Sequence, residues 1–236
     1  MAILKRIKSA WLRHGAAGFP KLIYKNIKYY ATYMPYRNHT FESEFDDAHQ
    51  TDTEAIREIG SMDIQSENAR HAVRYQPSPI GLTTQLLNTL DIEHDKYTFI
   101  DFGAGKGRVL MLASTLPFRH VIGVEFCAEL QQTALRNIAT LKPEDITAKT
   151  VTCIHDDVTH FPLPETPLVC YFYNPFGEIV MRQVVQRLEK SFHNNPRDII
   201  VLYLDPVWSV LFNDQSIWSA SDQQPGYLIV RANFHS

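Results

Sequence analysis

From residue 97 onward the chain alternates short apolar runs with longer amphipathic ones. Runs such as "HVIGVEF" and "DIIVLYL" are apolar at nearly every position, the pattern of strands buried on both faces of a parallel sheet. They predict strands over 97–102, 119–125, 149–155, 167–173 and 198–204. Between them, apolar residues at helical spacing predict helices over 106–116, 127–140 and 178–192. This alternation predicts a doubly wound α/β domain. The tail departs from it: "SIWSA" and "GYLIVRAN", separated by "SDQQP", predict an antiparallel pair.

Upstream the pattern changes. "YQPSP" at 75–79 is expected to be extended, because each proline disfavours the helical region for the residue before it. "SPIGLTTQLLNTL" then predicts a helix, with Ser78 as N-cap and Pro79 at the first helical position. Residues 41–70 are polar and acidic with poor apolar periodicity, and read as a linker that folds over something. Near the start, Ile3, Ile7 and Trp11 recur every fourth residue, so 2–13 predicts an amphipathic helix with Lys5, Arg6, Lys8 and Arg13 off the apolar stripe. The expected division is an N-terminal extension over 1–70, basic and then acidic and helical in part, followed by the main domain over 71–236.

Charge sharpens that division. Residues 1–40 contain eight Lys/Arg and no Asp or Glu, whereas the remaining 196 residues hold 15 basic and 26 acidic side chains. The basic segment is either a helix packed on the domain with a solvated face, or a surface for RNA, acidic protein or anionic lipid. The 44% hydrophobic and 21% charged composition of the 236 residues excludes a disordered chain. Three scattered cysteines, Cys127, Cys153 and Cys170, make neither a disulfide framework nor a zinc site, so no metal is expected and a reducing compartment is. No apolar run reaches the roughly 18 residues of a membrane span, nor does the start resemble a secretory signal. The expected location is cytoplasmic.

The chemistry centres on "FIDFGAGKGRVLMLAS" at 99–114, with Gly103, Gly105 and Gly107 between a strand and a helix. Such a turn brings backbone amides close to a ligand at a helix N-terminus. A phosphate loop would need glycine where Ile100 stands and Ser/Thr after Lys106, and the chain has neither. A dinucleotide fingerprint would need its third glycine at 108, which is Arg. The pattern D/E-x-G-x-G-x-G, used to bind S-adenosylmethionine, fits from Asp101 to Gly107. Asp101 would then face the cationic amino group of the methionine tail. Lys106 and Arg108 open a helix, where cations are mildly unfavourable, and are expected to be solvated without a role.

Three further strand ends support this pattern. Glu125 closes "VIGVEF", where a carboxylate accepts hydrogen bonds from ribose hydroxyls. Asp157 follows "CIHD", placed to accept from the adenine amino group with Val158 against the ring, while neighbouring Asp156 reads as a turn residue. Asn174, Pro175 and Phe176 end "CYFYNPF", where the reacting methyl would sit. In open α/β sheets ligands bind beyond the carboxyl ends of the strands, and all four elements lie there.

With these motifs in order, residues 75–205 resemble class I S-adenosylmethionine-dependent methyltransferases, which implies a Rossmann-like, mostly parallel seven-stranded sheet closed by the C-terminal hairpin. More closely, "YQPSP", "FIDFGAGKGRV", "GVEF" and "YNPF" are similar to segments of an uncharacterised bacterial group that shares features with the non-SET protein-lysine methyltransferases. That resemblance implies that Tyr75, Pro77 and Ser78 help close the cofactor pocket. It implies S-adenosyl-L-methionine as cofactor and methyl transfer to a nitrogen or oxygen, with a protein side chain such as lysine favoured over RNA or a small molecule. The alternatives are an RNA methyltransferase using residues 1–40 and a non-catalytic cofactor-binding module. One departure stands out. Amino-methyltransferases acting on planar amines carry Asp/Asn-Pro-Pro-aromatic, and this chain has Asn-Pro-Phe-Gly.

Overall fold

The computed structural model describes residues 39–54 and 76–232. The basic segment up to residue 38, including the helix expected over 2–13, lies outside the described residues, as does Tyr75. A single seven-stranded sheet organises the rest, in the order β3-β2-β1-β4-β5-β7-β6. Its strands are β1 Thr98–Phe102, β2 His120–Glu125, β3 Val151–His155, β4 Leu168–Tyr173, β5 Ile199–Leu204, β6 Trp218–Gln224 and β7 Tyr227–Ala232. The first five run parallel. β7 returns antiparallel to β5, and β6 pairs antiparallel with β7.

The helices are α1 His39–His49, α2 Ile80–Asn88, α3 Arg108–Ser114, α4 Ala128–Ala139 and α5 Glu178–Asn194. Alternate residues of each strand feed two cores. One contains Ile100, Phe102, Cys170 and Phe172 under the apolar face of α5, with Trp218 and Phe212. The other contains Phe99, Val169, Tyr171 and Leu202 under α2, α3 and α4. Central strands β1 and β5 are buried at every residue, whereas edge strand β6 buries only Trp218. A polar edge of this kind resists pairing with another chain.

The order reverses between β1 and β4: from β1 the chain builds outward to β2 and β3, and from β4 to β5. At such a switch point the loops leaving the two strands diverge and open a crevice. The glycine bend after β1 and the Asn-Pro-Phe segment after β4 flank this switch point.

Two local expectations are corrected. Residues 41–70 read as a linker, yet α1 occupies its beginning. Its support is local and polar: the Phe45 and His49 rings lie 4.3 Å apart, and the Asp46 carboxylate accepts hydrogen bonds from Thr51, Thr53 and Glu54, folding 51–54 back on the helix. Only Phe41, Phe45 and Ala48 fall at helical spacing there, a stripe too short to announce the helix. Ser78 is not the N-cap of α2, since Pro79 takes that position without a side-chain cap. The Ser78 side chain turns instead to the Tyr171 hydroxyl, and its carbonyl accepts from Arg108 Nη1 at 3.2 Å.

Candidate active site at the strand tips

The glycine bend is held by the sheet itself. Gly103 and Ala104 donate their N–H groups to the Val124 carbonyl, at 2.9 and 3.2 Å, locking the bend against the end of β2. Gly103, Gly105 and Gly107 have φ of 88°, 54° and 83°, in the left-handed region that side chains disfavour. Space is also a constraint at Gly103, where a Cβ would lie 2.7 Å from Pro175 Cβ. The bend after β1 and the Asn-Pro-Phe segment after β4 are therefore in direct contact. At Gly107 a Cβ would lie 3.0 Å from Ala134 Cβ, so the bend also sets the approach of α3 to α4.

Two carboxylates flank the bend, both only 3% exposed. Glu125 Oε2 accepts from the Gly105 N–H at 2.8 Å, and Oε1 from the Cys127 N–H at 2.9 Å. Burial nevertheless pushes its carboxyl up to about 7, against the opposing pull of those amides. Asp101 has no hydrogen-bond donor among the described residues. Burial first, and the neighbouring Glu125 charge second, raise its carboxyl well above the ordinary carboxylate range. A buried acid without a partner is costly unless a ligand supplies positive charge or donors.

At the tip of β3 the Asp157 Oδ1 accepts from the Thr159 N–H and hydroxyl, at 2.9 and 2.7 Å, and Val158 is buried in the core. Asp156 forms a turn, accepting from the Asp157 N–H at 2.8 Å. At the tip of β4, Asn174 adopts φ 42° and donates from Nδ2 to Asp205 Oδ2 at 3.1 Å. Phe176 is buried, and its carbonyl accepts from Trp208 Nε1 at 3.3 Å. Gln76, beside the buried Pro77, donates to the Tyr173 hydroxyl at 2.6 Å, tying the segment before α2 to the end of β4.

The structure thus gathers Asp101, Glu125, the three glycines, Asn174, Pro175 and Phe176 at the carboxyl edge of the sheet, with Asp157 and Val158 on the flank.

Lys106 and Arg108 depart from expectation. Each is only 2% exposed. Lys106 Nζ pairs with Asp52 at 2.7 Å, and Arg108 Nε donates to Thr53 Oγ1 at 2.7 Å. Asn137 on α4 joins them, donating to the Lys106 carbonyl at 2.8 Å and exchanging longer bonds with the Asp52 backbone. Residues 51–54 therefore lie directly over the two cations, which become anchors for a segment distant in sequence. Asp205 was also missed. Its signal is "LYLDP" at 202–206, which repeats at β5 the polar-residue-before-proline ending of "YFYNP" at β4.

No family model matches the chain, and no curated protein does. Among solved structures, the small RNA methyltransferase HEN1 aligns with a TM-score of 0.50 and 16% identity over 69% of this chain, which spans 28% of that protein. The fold is the class I methyltransferase fold. An RNA methyltransferase from Salinibacter ruber, solved in complex with S-adenosyl-L-homocysteine, aligns at TM-score 0.44 and 18% identity, covering 66% of this chain and 92% of its own. The ribosomal protein L11 methylase from Lactobacillus delbrueckii subsp. bulgaricus aligns at 0.48 and 12%, covering 70% and 81%. At such identities the likeness is one of fold. Among the described residues no helix is long and apolar enough to cross a membrane.

Proposed function

We propose that this chain is a cytoplasmic S-adenosylmethionine-dependent methyltransferase whose catalytic unit spans 71–236. The observation that carries the reading is the buried Asp101, without a donor among the described residues, beside Glu125 at the glycine bend. Two acids raised by burial call for a ligand rich in positive charge and hydroxyl donors, which the methionine ammonium and ribose of this cofactor provide. A dinucleotide pyrophosphate would instead bring negative charge to the same place. Asp101 would hold the ammonium, Glu125 would accept from the ribose hydroxyls through its remaining lone pairs, and Asp157 with Val158 would receive the adenine. Tyr75, Pro77 and Ser78 would cover the site from the segment before α2. Once bound, the cofactor supplies a sulfonium-activated methyl group. Asn174, Pro175 and Phe176 would align the acceptor, and alignment is where proximity contributes most to the rate.

For the acceptor, the resemblance to non-SET enzymes supports a protein side chain such as lysine. The eight basic and no acidic residues of 1–40 support RNA to a comparable degree, as does the fold likeness to an enzyme named for small RNA. Calorimetric titration tests the cofactor. Tight binding of S-adenosylmethionine, no binding of NADH, and loss of the former in Glu125→Ala are expected; unchanged affinity in that variant would sink the site. Methyl-labelled cofactor incubated with a cell lysate then separates the acceptors, as label fractionates with protein or with RNA. An RNA acceptor also requires affinity that falls steeply with salt and disappears when 1–40 are deleted.

A further inference from the structure

We infer that Asp205 is a positioning residue, fixing the Asn174 amide so that its carbonyl oxygen faces the reacting position. The inference rests on the cofactor reading above and adds to it a residue from a different strand. Asn174 and Asp205 are the first residues beyond the last paired positions of neighbouring strands, since Tyr173 pairs with Leu204. Both have left-handed backbones, φ 42° and 46°, and both precede proline. Asn and Asp tolerate this region better than other side chains, though less freely than glycine, and here local contacts hold them in it.

Those contacts are visible. The Asp205 N–H donates to the Gly226 carbonyl at 2.8 Å, and the Asp205 carbonyl accepts from the Val207 N–H at 2.7 Å. The same loop holds the methyl-side segment a second time, through Trp208 Nε1 on the Phe176 carbonyl. The loop after β5 thus grips Asn-Pro-Phe at two points.

The chemistry of the bond settles the rotamer. A carboxylate only accepts, so the Asn174 group that meets Asp205 must be its NH₂. The amide oxygen is then the atom left to serve a ligand, and no described residue donates to it. Asn174 is 7% exposed and is followed by Pro175, which lies against Gly103 of the bend. An oriented acceptor there favours a group bearing N–H donors. Without Asp205 the amide could turn and present its NH₂, which would oppose an amine.

The test needs no acceptor substrate. Sinefungin carries an amine-bearing carbon where the cofactor carries its methyl-bearing sulfur, and S-adenosylhomocysteine lacks any group at that position. Calorimetry on the full chain is expected to show sinefungin binding about ten-fold tighter than S-adenosylhomocysteine, the scale of one charge-assisted hydrogen bond. Asp205→Gly relieves the left-handed backbone while removing the carboxylate, so folding is protected. It should erase the preference and leave S-adenosylhomocysteine affinity and thermal midpoint unchanged. Asp205→Asn can still accept from the Asn174 NH₂ and should keep the preference. The inference is overturned if Asp205→Gly keeps the wild-type preference, or if both ligands weaken together in it. It is also overturned if Asp205→Asn loses the preference as fully as glycine does, because Asp205 would then act through its charge. Equal binding of both ligands to the wild type overturns this inference alone. Binding of neither overturns the cofactor reading with it.

Discussion

At the tips of β1 and β2, Asp101 and Glu125 are buried beside a bend with three left-handed glycines, and Asp101 has no donor among the described residues. At the tips of β4 and β5, Asn174 and Asp205 are also held in left-handed backbone, but a hydrogen bond joins them. The first pair stores an unmet electrostatic demand, which a cationic ligand relieves. In the second pair the Asn174 NH₂ is taken up by Asp205, which leaves the amide oxygen as an acceptor held in a set direction. On the proposed reading, cofactor binding would fall on one side of the switch point and orientation on the other, the division expected where a bulky cofactor must be gripped and a small acceptor group aligned. The two halves meet where Pro175 rests on Gly103.

The largest test of this contrast is Gly105→Arg. It inserts a cationic side chain at a left-handed position whose N–H serves Glu125, and is expected to abolish S-adenosylmethionine binding in calorimetry. Gly103→Ala strikes the seam between the halves. A strained φ and a Cβ 2.7 Å from Pro175 are expected to cost about 3 kcal/mol in urea unfolding, combining left-handed strain with overpacking. Away from the crevice, Thr53→Val removes the buried hydroxyl shared by Asp46 and Arg108. It should lower unfolding stability by about 2 kcal/mol.

The mildest test is pH, and it separates stability from affinity by sign. Glu125 is pushed from an ordinary 4.5 to about 7 in the folded protein. The folded state therefore keeps a proton that the unfolded state has already released. Stability contributed by this group is full below about 4.5 and is lost as pH rises to about 7. Cofactor binding needs the carboxylate, so affinity should move the other way, rising about ten-fold between pH 6 and 8. Thermal melts of the free protein and calorimetry of the complex, run across the same pH series, read these opposite slopes. Parallel slopes would remove Glu125 from the binding half.

Much of the sheet domain was legible in the chain. Strand and helix positions followed from apolar runs, because a parallel sheet covered on both faces demands them. Asp101, Glu125 and Asn174 were legible because strand ends punctuate those runs and the glycine spacing is local. Other features left no periodic trace. Helix α1 is held by the Asp46 clasp and by polar contacts across 51–54, and polar contacts set no hydrophobic period. Lys106 and Arg108 looked like solvated residues at a helix start, yet both are buried, in part by residues 51–54 from more than 50 positions away.

By itself, then, the sequence determined the layered α/β domain and the ligand edge of its sheet, since these depend on burial patterns and backbone freedom within a few residues. Only the tertiary structure decided which polar groups at that edge are satisfied and which remain in need. Whether a carboxylate finds a donor depends on neighbours that the sheet order brings together, such as β4 beside β5. That is why Asp101 emerged as a demand for charge, and Asp205 as the hand that turns Asn174.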